Sequence, residues 1–209
     1  MFLASIGAAI AGALLYANLP ARYIIGYSVP SINYLRTGKL IKIKSEKDVL
    51  SSSEIEVGSI IDNENVLVFA IRRPGCALCR KEGKDLVAIK PELEKRDIKL
   101  IGVVHEYKGV DGFREFFDGC DIYYDIDKKF YGPKERWMPT WIGFLRPKLW
   151  INYKKSRDSG VEGNLEGEGR LLGGVYLIMK GEMIYSHLEE EWGDWANTTE
   201  ILEAVKKLD

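Results

Sequence analysis

The sequence predicts one α/β domain, a central mixed sheet with helices on both faces, carrying an apolar N-terminal segment and an aromatic insertion. Three observations predict it. Residues 66–71, Val-Leu-Val-Phe-Ala-Ile, form an unbroken apolar, β-branched run of the kind found in buried parallel strands. Residues 81–96 then place Leu86, Val87, Ile89 and Leu93 among charges, which is a helical pattern, before the next strand at 98–104. The C-terminal third reads as a hairpin, residues 173–179 and 183–188 around Lys180-Gly181-Glu182, followed by an amphipathic helix over 198–208 with Ile201, Leu202 and Val205 on one face.

A chain of 209 residues, 46% hydrophobic and with a formal net charge of −1, suits one globular domain with extra segments. Near-neutrality gives no reason to expect a nucleic-acid partner. Three cysteines are too few for a secreted disulfide scaffold and suggest an intracellular, cytoplasmic setting, with secretion as the minority alternative.

In order, residues 1–21 contain no charged side chain and are rich in Ala and Gly. The segment is barely as long as a bilayer span and lacks the positive start of a signal peptide. It reads as a membrane anchor or membrane-surface segment, against the alternatives of a helix packed on the domain or a cleaved signal. Residues 22–37 read as a linker interrupted by Pro30, and 38–209 as the folded domain. Residues 38–44 alternate polar and apolar as a strand with one wet face, and 45–59 are polar and turn-rich. Pro91 falls inside the 81–96 helix and should kink it. A short helix at 111–117 would turn Phe113, Phe116 and Phe117 inward. A strand at 121–125 and an aromatic turn or helix at 128–137 follow. The insertion, about 138–170, begins with an aromatic and basic stretch (Trp141, Phe144, Trp150, Tyr153, Lys154, Lys155), read as a helix with buried aromatics, or else a surface element touching headgroups or covering the site. The Gly/Glu loop at 159–169 lacks the order and the Lys of a phosphate loop. No internal repeat is visible.

The chemistry sits where the first βα unit turns. Arg72-Arg73-Pro74-Gly75-Cys76-Ala77-Leu78-Cys79-Arg80 puts two cysteines two residues apart between a strand and a helix. A helix N-terminus favours an anion, and Arg72, Arg73 and Arg80 add positive charge. Cys76 is therefore the candidate attacking thiolate and Cys79 the resolving thiol. Half of a zinc site is the first bland alternative, but Cys120, His105 and His187 complete no recognisable ligand spacing. A pair of inert buried thiols is the second. Cys120 reads as a buried free cysteine or a site of intermolecular disulfide formation, and the two histidines as strand-end residues. A CxxC in a β-α-β pattern with a terminal β-β-α is the thioredoxin arrangement.

Four stretches carry a closer resemblance: residues 72–80, Phe130-Tyr131-Gly132-Pro133, Gly163-Asn164-Leu165-Glu166-Gly167-Glu168-Gly169, and Gly173-Gly174-Val175. Together, and in this order, they resemble the peroxiredoxin-like 2 family, the group that includes the selenoprotein U proteins within the AhpC/TSA-related thioredoxin-like proteins. The similarity runs from about residue 41 to the C-terminus, and the uncharged N-terminus is similar to that of the A-type members. The resemblance implies a thioredoxin-like fold and an antioxidant, redox-regulatory role, with the redox-active pair carried onto Cys76 and Cys79. Two departures stand out. Peroxiredoxins place Thr or Ser three residues before the peroxidatic cysteine and Pro seven before it, where this chain has Arg73 and Phe69. Thioredoxins place a cis-proline before the last hairpin, where this chain has Gly173 and Gly174, which are candidates to face the site. Met138-Pro139-Thr140 resembles that signature, displaced by the insertion.

The expected function is a thiol oxidoreductase acting on peroxide or disulfide substrates. Arg72 and Arg73 would stabilise the thiolate, and an external dithiol, or more broadly a thioredoxin- or glutathione-type reductant, would re-reduce the pair without a bound cofactor or metal. One alternative is reduction of a lipid endoperoxide, by resemblance to the related prostamide/prostaglandin F synthase branch. The other is a non-catalytic module that senses redox state.

Overall fold

The computed structural model describes residues 2–47, 49 and 52–207. The last residues of the C-terminal helix expected at 198–208 lie partly outside them.

The strands are β1 (Lys39–Lys42), β2 (Glu54–Glu56), β3 (Asn65–Ile71), β4 (Ile98–Val104), β5 (Asp121–Asp125), β6 (Gly174–Met179) and β7 (Glu182–Leu188). They form one seven-stranded sheet in the order β2-β1-β5-β4-β3-β6-β7. β3, β4 and β5 are parallel, while β1, β2, β6 and β7 join antiparallel. Alternation along β3 divides the core. Leu67, Phe69 and Ile71 face one apolar cluster, and Val66, Val68 and Ala70 face the other. On the first face lie α5 (Ala77–Glu94) and α9 (Thr198–Lys206), through Leu86, Leu93, Ile201 and Val205. On the second lie α3 (Ile32–Arg36) and α4 (Val57–Ile61), through Leu35, Val57, Ile60 and Ile61. This is the mixed sheet with helices on both faces that the sequence predicts.

Several elements differ from expectation. The stretch 22–37 carries α2 (Ala21–Ile24) as well as α3. The α3 turn forms because the Ser31 side chain accepts from the Tyr34 N–H and Leu35 is fully buried. Within the polar stretch 45–59, β2 adds an edge strand, fastened by Lys39 Nζ to Glu54 Oε2 at 2.7 Å. α5 starts at Ala77, four residues earlier than the charge pattern marks, and runs past Pro91 to Glu94. Pro91 falls in the last turn, so little of the helix depends on its missing N–H. α6 (Val110–Phe113) and the following 3₁₀ turn bury Phe113 and Phe117 but leave Phe116 half-buried beneath the Arg80 guanidinium, 5.1 Å from the ring centroid. The cis bond before proline is Gly132–Pro133, while Pro139 caps α7.

The insertion holds α7 (Thr140–Phe144) and α8 (Pro147–Asp158). Ile142, Gly143, Leu149 and Ser156 are buried, whereas Trp141, Phe144, Trp150 and Tyr153 are exposed, so the expectation of buried aromatics is corrected. The two short helices, joined by Leu145 and Arg146, bury only one side each, and the rings occupy the other. α1 (Phe2–Ala17) is also outside the core: side chains 5–16 are exposed and Ala17 is buried. Among the described residues, no helix is long and apolar enough to cross a membrane.

Candidate active site

β3 ends at Ile71, and the chain turns through Arg72–Gly75 so that Cys76 becomes the N-cap of α5. The turn is closed by Cys76 N–H to Arg73 O (3.0 Å) and Arg80 N–H to Cys76 O (3.0 Å). Cys76 and Cys79 are both buried free thiols. Arg72 Nη2 donates to Cys76 Sγ at 3.1 Å. The hydrogen bond from Cys79 holds the Cys76 thiol well below the ordinary range; burial opposes this, and the charges of Arg72 and Arg73 assist it. The same hydrogen bond, with burial, pushes Cys79 well above that range. The two shifts run in opposite directions, favouring the thiolate at Cys76 and the thiol at Cys79.

Arg72 is the centre of the arrangement. It is 3% exposed. Its Nε pairs with Glu189 Oε1 (3.1 Å), its Nη1 donates to Gly169 O (2.8 Å), and its guanidinium lies 5.7 Å from the Trp192 ring. Burial disfavours its charge, but the cysteine pair and then Glu189 outweigh that electrostatically and raise its pKa. Glu189 is held in turn: Gly173 N–H (3.1 Å) and Gly193 N–H (3.2 Å) donate to its carboxylate. Arg136 donates to the Glu189 and Gly173 carbonyls at 2.6 and 2.8 Å. Burial lowers the pKa of His105, and its Nε2 meets the Arg72 carbonyl at 2.8 Å. A carbonyl only accepts, so Nε2 carries the hydrogen.

The Gly/Glu loop lies across the cysteine turn. Asn164 N–H donates to Gly75 O at 2.7 Å, and Glu168 N–H to Glu106 Oε2 at 2.8 Å. Gly163 is required for this approach, since a Cβ there would stand 2.3 Å from Ala77 N and 2.8 Å from Gly75 O. Above Cys76 opens a cleft of about 550 Å³. Phe144, Leu149, Trp150, Tyr153 and Trp192 form an apolar wall; Arg73 and Arg170 lie among the polar lining residues. The insertion therefore covers the cysteine site, in line with one of the two expectations for it.

The predicted residues are distributed as follows. Cys76, Cys79 and Arg72 come together. Arg73 lines the cleft, with its Nε buried and unpaired among the described residues, so its part is charge at a distance rather than contact. Arg80 braces the loop instead of the thiolate, donating to Pro74 O (3.1 Å) and Glu162 O (2.9 Å). Gly173 does not line the cleft. It lies behind Arg72, where it holds Glu189, and its missing Cβ would stand 1.9 Å from Ala70 O. Gly174 packs against His187 O, also off the cleft. His187 meets Asp194 O at 3.0 Å. Cys120 is buried, its thiol pushed up to about 11 by that burial. Among the described residues, no group of three or more Cys, His, Asp or Glu is placed to hold a metal ion. Glu189, Arg136 and Trp192 are not among the sequence-predicted site residues, and His105, which follows β4 as a strand-end residue, reaches the site through the Arg72 carbonyl. The available signal was an arginine directly after a buried strand, which needs a buried anion, together with the Glu189-Glu190-Glu191 run at the end of the hairpin.

Comparison with known proteins decides the family. Peroxiredoxin-like 2A of Mus musculus is 37% identical over 211 residues, covering 98% of this chain and 94% of its own. The Xenopus tropicalis protein is 37% identical (97% and 87% covered) and the Homo sapiens protein 36% (98% and 89%). The chain belongs to the peroxiredoxin-like 2 family. A profile described as AhpC/TSA antioxidant enzyme also matches residues 85–191. Among solved structures, a peroxiredoxin Q variant of Xanthomonas campestris aligns with TM-score 0.50 at 13% identity, over 86% of this chain and 96% of its own. A PrxQ variant of Xylella fastidiosa aligns with TM-score 0.53 at 12% identity (87% and 94%). At such identities the likeness shows the fold alone, which is thioredoxin-like and peroxiredoxin-like. Membership of the peroxiredoxin-like 2 family gives the chain a thiol-based antioxidant or redox role.

Proposed function

We propose that the chain is a two-thiol oxidoreductase whose attacking group is Cys76 and whose resolving group is Cys79. The observation that carries this is the 3.1 Å hydrogen bond from the buried Arg72 guanidinium to Cys76 Sγ at the floor of an open cleft. A thiolate kept at neutral pH beside a fixed cation is a nucleophile whose leaving group is also stabilised. The Cys76 thiolate attacks the distal oxygen of a hydroperoxide; the O–O bond breaks, Cys76 becomes a sulfenic acid, and the released alkoxide takes a proton. Cys79 then attacks the sulfenic sulfur, losing its proton as water departs, and a Cys76–Cys79 disulfide remains. An external thiol reductant, one dithiol of thioredoxin type or two equivalents of glutathione, returns both to thiols by exchange and leaves as its own disulfide, and no bound cofactor is called on. Disulfide substrates would enter at the same sulfur through a mixed disulfide.

The apolar wall favours an organic peroxide over hydrogen peroxide, and on that observation rests a second reading, reduction of a lipid endoperoxide. Mass spectrometry of the peptide carrying both cysteines, after reduced protein meets one equivalent of hydrogen peroxide, cumene hydroperoxide or a lipid endoperoxide, tests these readings. Rapid Cys76–Cys79 disulfide, lost in Cys76→Ser and replaced by a dimedone-reactive Cys76 sulfenic acid in Cys79→Ser, is the expected result. Cysteines that stay reduced with every one of these oxidants would remove peroxides as substrates and leave disulfide exchange or a module that works by binding.

A further inference from the structure

We propose that α1, α7 and α8 form one face that docks peripherally on an anionic lipid bilayer, with the mouth of the Cys76 cleft at the headgroup layer. The three helices are continuous. Tyr16 at the end of α1 stacks on Trp141 of α7 (centroids 6.2 Å, planes 18° apart). Just beyond α1, Arg146 Nη2 donates to Leu19 O at 2.7 Å. Trp150 of α8 donates to Phe144 O of α7 at 3.0 Å.

Across this face apolar side chains are left in solvent: Ile10 at 57% exposed, Leu15 at 73%, Trp150 at 55% and Ile151 at 54%. A contiguous surface of this kind on a chain whose core is otherwise well buried marks an interaction site. At 1.5 Å per residue α1 is about 24 Å long, shorter than a bilayer's thickness but suited to lying in its plane. The rings of Trp141, Trp150 and Tyr153 are of the type that settles at the headgroup level.

Charge chooses the occupant. The whole chain is nearly neutral, yet residues 1–44 contain no Asp or Glu, and neither do residues 138–157. Those same segments hold Arg22, Arg146, Lys148, Lys154, Lys155 and Arg157. Arg146 and Lys148 meet Glu191, and Arg22 meets Glu190. Lys154, Lys155 and Arg157 make no ion pair among the described residues. An apolar face with unneutralised Lys154, Lys155 and Arg157 on α8, against the one acid of that helix, Asp158, matches an anionic bilayer, whereas a second copy of the same face would bring like charges together. Because Phe144, Trp150 and Tyr153 both belong to this face and line the cleft, docking brings the cleft mouth to the lipid. The docking itself is independent of the thiol chemistry proposed above.

Cosedimentation of the full chain with phosphatidylcholine vesicles, with and without phosphatidylserine, tests the inference. The expected result is binding that needs phosphatidylserine, weakens with salt and shifts tryptophan emission to the blue. Lys154→Gln and Lys155→Gln should each lower partitioning about five-fold. The set Ile10→Asp, Leu15→Asp and Ile151→Asp, all solvent-exposed in the free protein, should abolish it with an unchanged thermal melt. No sedimentation with either vesicle overturns the proposal, as does binding that neither set of substitutions lowers. A dimer in solution that the Asp set disperses, with no vesicle binding, would assign the face to a second copy instead.

Discussion

Removing the Arg72–Glu189 pair tests what sets the nucleophile. Arg72→Met alone would leave Glu189 charged, buried and unpaired, a loss of about 3–5 kcal/mol that confounds any reading of reactivity. We therefore predict the behaviour of Arg72→Met/Glu189→Gln, in which both charges go together and the amide oxygen at position 189 still accepts from one of the two N–H groups, Gly173 or Gly193, that meet the two carboxylate oxygens separately. Cys76 then loses one charge-assisted hydrogen bond, the 3.1 Å contact from Nη2. Such a bond contributes about 1.5–3 kcal/mol, and one pKa unit corresponds to about 1.36 kcal/mol, so the Cys76 pKa should rise by roughly 1–2 units. The assay is the rate of Cys76 carboxamidomethylation by iodoacetamide against pH, read by peptide mass spectrometry so that Cys79 and Cys120 do not contribute. Glu189→Gln alone keeps the guanidinium and should not raise the midpoint. The linkage has a definite sign. The folded Cys76 pKa is depressed, so the stability it contributes is fully present above the unfolded thiol value of about 8.5 and is lost as pH falls through the folded value. Denaturation of the reduced protein should show that dependence relative to Cys76→Ser. A double variant whose alkylation midpoint stays at the parent's value would refute the assignment, because the thiolate would then owe nothing to Arg72.

Gly163→Ala should lift the Gly/Glu loop from the cysteine turn, since its Cβ would meet backbone atoms of Ala77 and Gly75 that cannot yield; faster labelling of Cys76 by a bulky maleimide and new proteolysis within 163–169 would show it. Asp125 is buried and its pKa is pushed up to about 6 by that burial, so its contribution to stability is present below about pH 4 and lost as pH rises through 6. The variant Asp125→Asn should gain on the parent by about 3 kcal/mol between pH 4 and 7, measured by urea unfolding, and parallel curves would contradict it. Phe113→Ala empties a fully buried site between Phe69 and Phe117 and should destabilise by about 3–5 kcal/mol in urea, while the Cys76 alkylation midpoint stays where it was.

The sheet was legible wherever burial leaves a strong mark. β3 and β4 are apolar along nearly their whole length because helices cover both faces, and the hairpin of β6 and β7 is punctuated by Lys180-Gly181, both at positive φ. The missed elements are those held by something other than their own pattern. β2 is three residues long and exists because β1 offers an edge. α3 depends on one capping serine and one buried leucine. Residue type points the aromatics of α7 and α8 into a core, but type cannot say on which side of a short helix a ring stands; here the small and aliphatic residues Gly143, Leu149 and Ser156 face inward and the rings outward.

The site divides in the same physical way. Its proposed reactive half is local, with strand end, turn and helix N-terminus contained in residues 71–80, so spacing and charge alone point to Cys76 and Cys79. Its supporting half is not local: Glu189 lies 117 residues from Arg72 and reaches it only because β6 pairs with β3 and carries β7 beside it. Gly173 shows how the two halves connect. A glycine ahead of the last hairpin reads in the sequence as a stand-in for a site-facing proline, yet its place is fixed by the Ala70 carbonyl pressed against it, and its N–H holds the carboxylate that holds the arginine. The four stretches that resemble the family do not all touch the cleft. Residues 163–169 cover the cysteine turn, Gly173 anchors Glu189, and Tyr131 donates from below to the carbonyls of Ile71 and Val103 at 2.8 and 3.0 Å, at the strand ends from which the turn departs. These contacts hold the strand end, the loop and the carboxylate around the Arg72 guanidinium and the Cys76 sulfur, and a change in them should therefore register in the pKa of Cys76.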